Sequence, residues 1–242
     1  MKLANKVAVV TGAGGGIGRA IALAFAHEGA TVALAGRTRA SLQKVAEEIL
    51  AAGGESCPCA MDVTDANSVR QVVNETLERC GKIHILVNSA GVFIYKSLLE
   101  VTIEDWDLTL DTNLKGIFLC CQAVLPHMIA RRQGNIINIS SIHGKLADAN
   151  LVPHCASKFG VIGLTQALAK EVAEYNINVN VICPGQVDSS WLEEAREKAP
   201  PLSTELKPAD VAKVAVFLAS LEPAIMTGSV IDVFGRTNVK ID

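Results

Sequence analysis

Val7-Ala8-Val9-Val10-Thr11-Gly12-Ala13-Gly14-Gly15-Gly16-Ile17-Gly18 passes from an apolar run through a glycine-rich turn into an amphipathic pattern that continues to residue 27. Strand, turn and helix in that order open a βαβ unit. Glycines let the turn's backbone come close to a phosphate, and the helix N-terminus adds unpaired N–H groups and a favourable dipole. A glycine cluster is a common turn signal by itself, but this one stands where a dinucleotide site needs it. Its spacing is Gly-x-x-x-Gly-x-Gly, not the commoner Gly-x-Gly-x-x-Gly.

Outward from this unit the pattern repeats. Apolar, β-rich runs occur at 7–10, 31–35, 83–87, 135–139, 178–182 and 230–233, with a shorter one at 57–61. They lack in-out alternation, which suits parallel strands covered on both faces. Helical patterns lie between them at 16–27, 39–52, 66–79, 103–132, 153–174 and 208–220. This order predicts right-handed crossovers and one α/β domain spanning 1–242: a Rossmann-type, doubly wound parallel sheet of about seven strands with helices on both faces. The least regular stretch, 187–207, contains Pro200-Pro201 and reads as a lobe covering a substrate.

Composition narrows the partners. Of 242 residues 50% are hydrophobic, enough for one large core, and the net charge of −3 provides no polycationic field for nucleic acid or an anionic membrane. Seven cysteines scattered through apolar stretches read as reduced, packed thiols in a cytoplasmic protein. Cys57-Pro58-Cys59 is too closely spaced for a paired zinc motif and has no second pair, so no metal is expected. The opening MKLANKVAVV lacks the features of a secretory signal, and no uninterrupted apolar run reaches membrane-spanning length.

Thr11-Gly-x-x-x-Gly-Ile-Gly18, Asp62-Val63, Asn88-Ser89-Ala90-Gly91, Asn113, Ser141, Lys158 and Pro184-Gly185 follow one another in an order and spacing that resembles the short-chain dehydrogenase/reductase family. The likeness runs from about residue 5 to 235 and looks most like the 3-oxoacyl-(acyl-carrier-protein) reductase and sugar- or alcohol-dehydrogenase branches. It implies that Gly12, Gly16, Ile17 and Gly18 line a pyrophosphate and that Asp62 and Val63 border an adenine. Asn88, Ala90 and Gly91 would form the floor beneath ribose and nicotinamide, with Pro184, Gly185, Val187 and Ser189 on the carboxamide side. It also implies a homotetramer in which the 103–132 and 153–174 helices pair across a two-fold axis. Ile117, Leu119, Phe159 and Leu164 supply apolar surface beyond one sheet-facing stripe. The tail Asp232-Val233-Phe234-Gly235-Arg236 departs from the family's frequent Val-Asp-Gly-Gly ending.

Charge bears on the choice of cofactor. NAD-binding sheets of this type end their second strand with an acid for the ribose hydroxyls, whereas an arginine accommodates a 2′-phosphate. Here that strand ends Ala35-Gly36-Arg37-Thr38-Arg39, with no acid; Gly36 leaves room and Arg37 can bond a phosphate, which favours NADP over NAD.

The resemblance breaks at one position. The family's reaction uses a tyrosine as proton donor or acceptor and a lysine four residues later that also holds the cofactor. A serine bonds the substrate oxygen, and an asparagine completes a water relay. Asn113, Ser141 and Lys158 take the last three roles, but the tyrosine becomes histidine in His154-Cys155-Ala156-Ser157-Lys158. Ser141 thirteen residues ahead, Pro153 and Ala156-Ser157-Lys158 secure the register. A lysine cation stabilises phenolate but opposes imidazolium, so from about 6.5 the histidine pKa falls and the neutral ring donates poorly to an alkoxide. Three explanations stand: a substituted reductase, a native histidine assisted by His143 or Tyr95, or a pseudoenzyme acting as sensor or scaffold. The expectation is an NADP(H)-dependent oxidoreductase interconverting a carbonyl (3-oxoacyl thioester, sugar or simple ketone) and a secondary alcohol, with reduced activity; the alternative is a non-catalytic dinucleotide binder.

Overall fold

β1 (Val7–Thr11) is buried at all five positions, as a strand covered on both faces must be. In the computed structural model, which describes residues 1–187, 206–222 and 225–235, it lies at the centre of a seven-stranded sheet. Ser189, Arg236 and most of the expected 187–207 lobe lie outside the described residues.

The chain continues through α1 (Gly16–His27), β2 (Thr31–Gly36), α2 (Arg39–Ala51), β3 (Glu55–Ala60), α3 (Ala66–Cys80) and β4 (Ile85–Asn88). After β4 come α4 (Ile103–Leu110), a π turn at Asp111–Lys115, α5 (Gly116–Arg131) and β5 (Gly134–Ile139). Then follow α6 (Val152–Val172), β6 (Ile177–Pro184), α7 (Pro208–Ala219) and β7 (Val230–Val233). The strand order is β3-β2-β1-β4-β5-β6-β7 and each pairing is parallel. The order reverses between β1 and β4, the switch point at which such sheets hold ligands beyond the carboxyl ends of their strands.

Two apolar layers flank the sheet. One joins Ile21 and Phe25 of α1, Leu42 and Val45 of α2 and Val211 and Ala215 of α7. The other joins Val69 and Val72 of α3, Ile117 and Val124 of α5 and Val161 of α6. Every expected strand and helix is present, with ends shifted by a few residues at most.

The continuous 103–132 helix is the exception. It is interrupted by the π turn, in which Asn113 turns toward Val92 and Gly116 packs on Val63, where a Cβ would come within 2.9 Å of a Val63 methyl. Widened turns of this kind recur at functional sites. By length and composition Ile103–Arg131 also passes as a membrane span, a test that core helices pass as well. Here it covers the sheet, with Ile117, Cys120, Cys121, Val124 and Met128 buried beneath it. Of the four apolar residues expected between subunits, Ile117 is instead inside the subunit core, and Leu119 and Leu164 pack partly against it. Phe159 alone remains exposed, joined by Phe118 and Trp106.

Candidate active site

The glycine turn is held by its first residue. The Thr11 hydroxyl oxygen accepts the backbone N–H groups of Ser89 and Ala90, each at 3.0 Å, tying the ends of β1 and β4 together. Gly12 takes φ +68°, and a Cβ there would stand 2.9 Å from the Ala90 backbone. At Gly18 a Cβ would lie 2.3 Å from the Gly12 carbonyl oxygen, so the helix start packs directly on the turn. Gly15, by contrast, faces open space. A turn closed on one side, open on the other and running into the N-terminus of α1 fits a pyrophosphate.

Above it opens a cleft of about 430 Å³. Gly12, Ile17 and Gly18 form its floor; Ala90 and Gly91 line one wall; Pro184, Gly185 and Val187 line another. Ser141, His154 and Lys158 face the same space, as do His143 and Tyr95. Tyr95 is anchored there by its hydroxyl, which accepts from Asn150 at 3.2 Å.

Other residues singled out in the sequence lie around this cleft and not in its walls. Gly16 opens α1 between Gly15 and Ile17. Asn88 turns its amide inward, donating to Asn138 Oδ1 at 2.8 Å; Asn138 in turn donates to Thr165 Oγ1 at 2.9 Å, so a buried chain ties β4 and β5 to α6. Val63 belongs to the core. Asp62 accepts the backbone N–H and the hydroxyl of Thr64, and with the Arg37 cation nearby its carboxyl stays below the usual range. Arg37 itself is exposed, at the end of the strand beside β3.

The catalytic candidates are held by the backbone. Ser141 starts a short helical turn, Ile142–Gly144, and its Oγ accepts the His143 N–H at 3.2 Å. Lys158, one turn after His154 on α6, donates from Nζ to the Ile139 carbonyl at 3.0 Å, and burial pushes its pKa down to about 8. Asn113 braces the site without lining it: its Oδ1 accepts Val92 N–H at 2.8 Å, and its Nδ2 donates to the Val92 carbonyl at 3.0 Å and to Ser157 Oγ at 3.2 Å.

His154 is buried between two rings. Phe93 meets it edge to face at 5.0 Å between centroids, and His143 does so at 5.9 Å. Its pKa is pushed down to about 3, by burial first, then by the Lys158 cation and by His143, against a hydrogen bond to the Val92 backbone. The lysine effect deduced from sequence is present, but burial exceeds it. His143 is also held below its ordinary value by burial, and Nδ1 of each ring is buried without a partner among the described residues.

Sequence reasoning missed the parts played by Val92, Phe93 and Ser157. Phe93 was within reach, since it follows directly on the Asn88–Gly91 turn. Val92 acts only through its backbone, which no side-chain pattern reveals.

Fold and cleft define a doubly wound α/β protein whose cleft opens at the switch point of its sheet, where such sheets hold ligands. Comparison with known proteins narrows the class: a family model of short chain dehydrogenases matches residues 6–200, and the chain belongs to that family. It is 40% identical to the 3-oxoacyl-(acyl-carrier-protein) reductase FabG of Thermotoga maritima over 242 residues, covering 97% of this chain and 98% of that protein. It is 38% identical to the FabG of Staphylococcus epidermidis over 240 residues, covering 96% and 98%. Among solved structures, a short-chain type dehydrogenase/reductase from Mycobacterium marinum superposes with a TM-score of 0.90 at 34% identity, covering 96% of this chain and 95% of that one. The chain is thus an oxidoreductase acting on a carbonyl or alcohol group.

Proposed function

We propose that the protein is an NADP(H)-dependent carbonyl reductase, with 3-oxoacyl thioesters the first substrates to examine, whose turnover is limited by His154. The observation that carries this reading is the convergence of Ser141, His154 and Lys158 on one cleft floored by the glycine turn. Gly12, Ile17, Gly18, Ala90, Gly91, Pro184, Gly185 and Val187 would hold the dinucleotide, with Arg37 toward a 2′-phosphate and Asp62 and Val63 toward the adenine. Ser189, outside the described residues, stays an expectation from the resemblance.

When bound, a nicotinamide cofactor would supply hydride to the carbonyl carbon. Ser141 hydrogen-bonds the carbonyl oxygen as it gains negative charge. Lys158, charged below about pH 8, adds a cation to the electrostatics of the site. His154, neutral at physiological pH, is a poor donor to the resulting alkoxide. A positioned acid contributes about 10²–10⁴-fold, so the enzyme is slow, not inert. The assay is NADPH oxidation with a panel of 3-oxoacyl thioesters, sugars and simple ketones, for the native chain and His154→Tyr. Reduction that is faster in His154→Tyr than in the native chain supports the reading. Brisk native turnover that tyrosine slows removes the limit placed on His154, and cofactor binding with no hydride transfer in both overturns the reading and leaves a dinucleotide sensor.

The exposed Trp106, Phe118 and Phe159 on α4, α5 and α6 support a homotetramer built on these helices. Seven unpaired cysteines support a reducing, cytoplasmic setting.

A further inference from the structure

A pair of thiols beside an arginine lies on the sheet edge, away from the cleft. β3 is the edge strand, and Cys57 and Cys59 stand two residues apart along it, so their side chains leave the same face. Their sulfurs are 3.8 Å apart. The Arg79 guanidinium, from the last turn of α3, rests against Cys57 Sγ. Opposite them in the register are only Ala33 and Ala35, whose small side chains leave the sulfurs room to move. We propose that Cys57 is a peroxide-reactive thiol and that Cys59 is its resolving partner.

Three requirements meet at Cys57. The nucleophile must be reachable, and Cys57 is half-buried where Cys59, Cys120, Cys121, Cys155 and Cys183 are buried. A cation must stand beside the sulfur that becomes negative, and Arg79 does. A second thiol must be close enough to capture the oxidised sulfur, and Cys59 is. The other thiols are poor first nucleophiles: burial pushes Cys59 and Cys121 up to about 12 and Cys183 to about 11, and raises Cys80 and Cys120 as well, so Cys59 acts only after Cys57 is oxidised, and Cys155 is buried.

The chemistry balances with hydrogen peroxide as oxidant. Cys57 thiolate attacks one peroxide oxygen; an S–O bond forms, the O–O bond breaks and hydroxide leaves as water after taking a proton. Cys59 then attacks the sulfenic sulfur; an S–S bond forms, the S–O bond breaks, and the departing hydroxide takes the Cys59 proton. Two thiols and one peroxide give one disulfide and two waters. Two residues of strand separate the Cα atoms by about 6.4–6.8 Å, the long end of what a disulfide spans. Pro58 between them limits adjustment, so the bond is strained and easily reduced, as a reversible modification requires.

The reaction needs neither cofactor nor substrate, so the purified chain is treated directly with stoichiometric hydrogen peroxide at neutral pH. Dimedone and iodoacetamide follow, and each cysteine is mapped by mass spectrometry. The expected products are a Cys57–Cys59 disulfide in the native chain, reversed by dithiothreitol, and a dimedone adduct on Cys57 in Cys59→Ser. Arg79→Met slows Cys57 oxidation about tenfold. If Cys59→Ser does not fold, the alkylation order of the native chain decides, with Cys57 first in support. First oxidation or alkylation elsewhere, a Cys57–Cys80 link, a persistent sulfenic acid on native Cys57, or an unchanged rate in Arg79→Met overturns the proposal.

Discussion

Asn113 grips Val92 by both of its backbone groups, accepting its N–H at 2.8 Å and donating to its carbonyl at 3.0 Å. A side chain in the π turn thereby fixes the segment that follows β4. Phe93 is held against His154 and Gly91 against the cleft, where a Cβ on Gly91 would come within 3.2 Å of Asn113 Oδ1.

Asn113→Leu keeps the volume and leaves two part-buried backbone groups without partners. Each costs up to about 1–3 kcal/mol when fully buried, so unfolding stability should fall by at most about 2–6 kcal/mol. Urea unfolding should show a lower midpoint at an unchanged slope. A curve superimposable on that of the native chain would show that the grip contributes nothing.

His154→Tyr should raise carbonyl reduction by up to about two to four powers of ten, the span open to a positioned acid. The native chain should also show no activation as pH falls through 6.5. With its pKa near 3, the ring is neutral throughout that range, and imidazolium is populated only toward pH 3. Initial rates of both forms from pH 5 to 9 check this. A rise in native activity centred near 6.5 would mean that His154 is solvated during turnover.

His84 accepts the Val7 N–H on Nδ1 at 2.9 Å, and burial, with neighbouring Lys6 as the next cause, pushes its pKa down to about 4. Between pH 6.5 and 4 the unfolded chain binds a proton that the folded chain refuses, so stability rises with pH across that window. The contribution is complete above about 6.5 and is lost as pH falls toward 4, a total of about 3 kcal/mol at 1.36 kcal/mol per unit. His154 adds to the loss in the same direction. Urea midpoints at pH 7.5, 6 and 5 should fall less steeply for His84→Gln than for the native chain; parallel slopes would exclude His84 as the source.

Arg37→Ala should weaken NADPH binding about tenfold to a hundredfold and leave NADH binding nearly unchanged, because a charge-assisted bond to phosphate contributes about 1.5–3 kcal/mol. Fluorescence titration with both cofactors reads the difference. Equal affinities in the native chain would remove the argument for NADP.

Phe159, 46% exposed, and Phe118, 48% exposed, should lie between subunits. Phe159→Glu puts a charge into that contact and should shift light scattering at micromolar concentration from tetramer toward smaller species. A native chain that scatters as a monomer would contradict the assembly.

Much of this protein was legible in its sequence because the signals are local. The 7–18 stretch specifies strand, turn and helix by apolar run, glycine and period, and the alternation repeats along the chain to define a doubly wound sheet. The positions of Gly12, Ser141, His154 and Lys158 followed from the resemblance to the short-chain dehydrogenases. Tertiary structure decided what depends on neighbours distant in the chain. The π turn at Asp111–Lys115 is set by the fit of Gly116 on Val63 and by the Asn113–Val92 bonds, neither of which has a periodic signature. Asn88 turned inward because β5 and α6 present Asn138 and Thr165 to it. The sign of the His154 shift could be deduced from a lysine four residues away, but its size came from burial beneath Phe93 and His143. Desolvation is a property of everything packed around a group, and adjacency in the chain does not encode it.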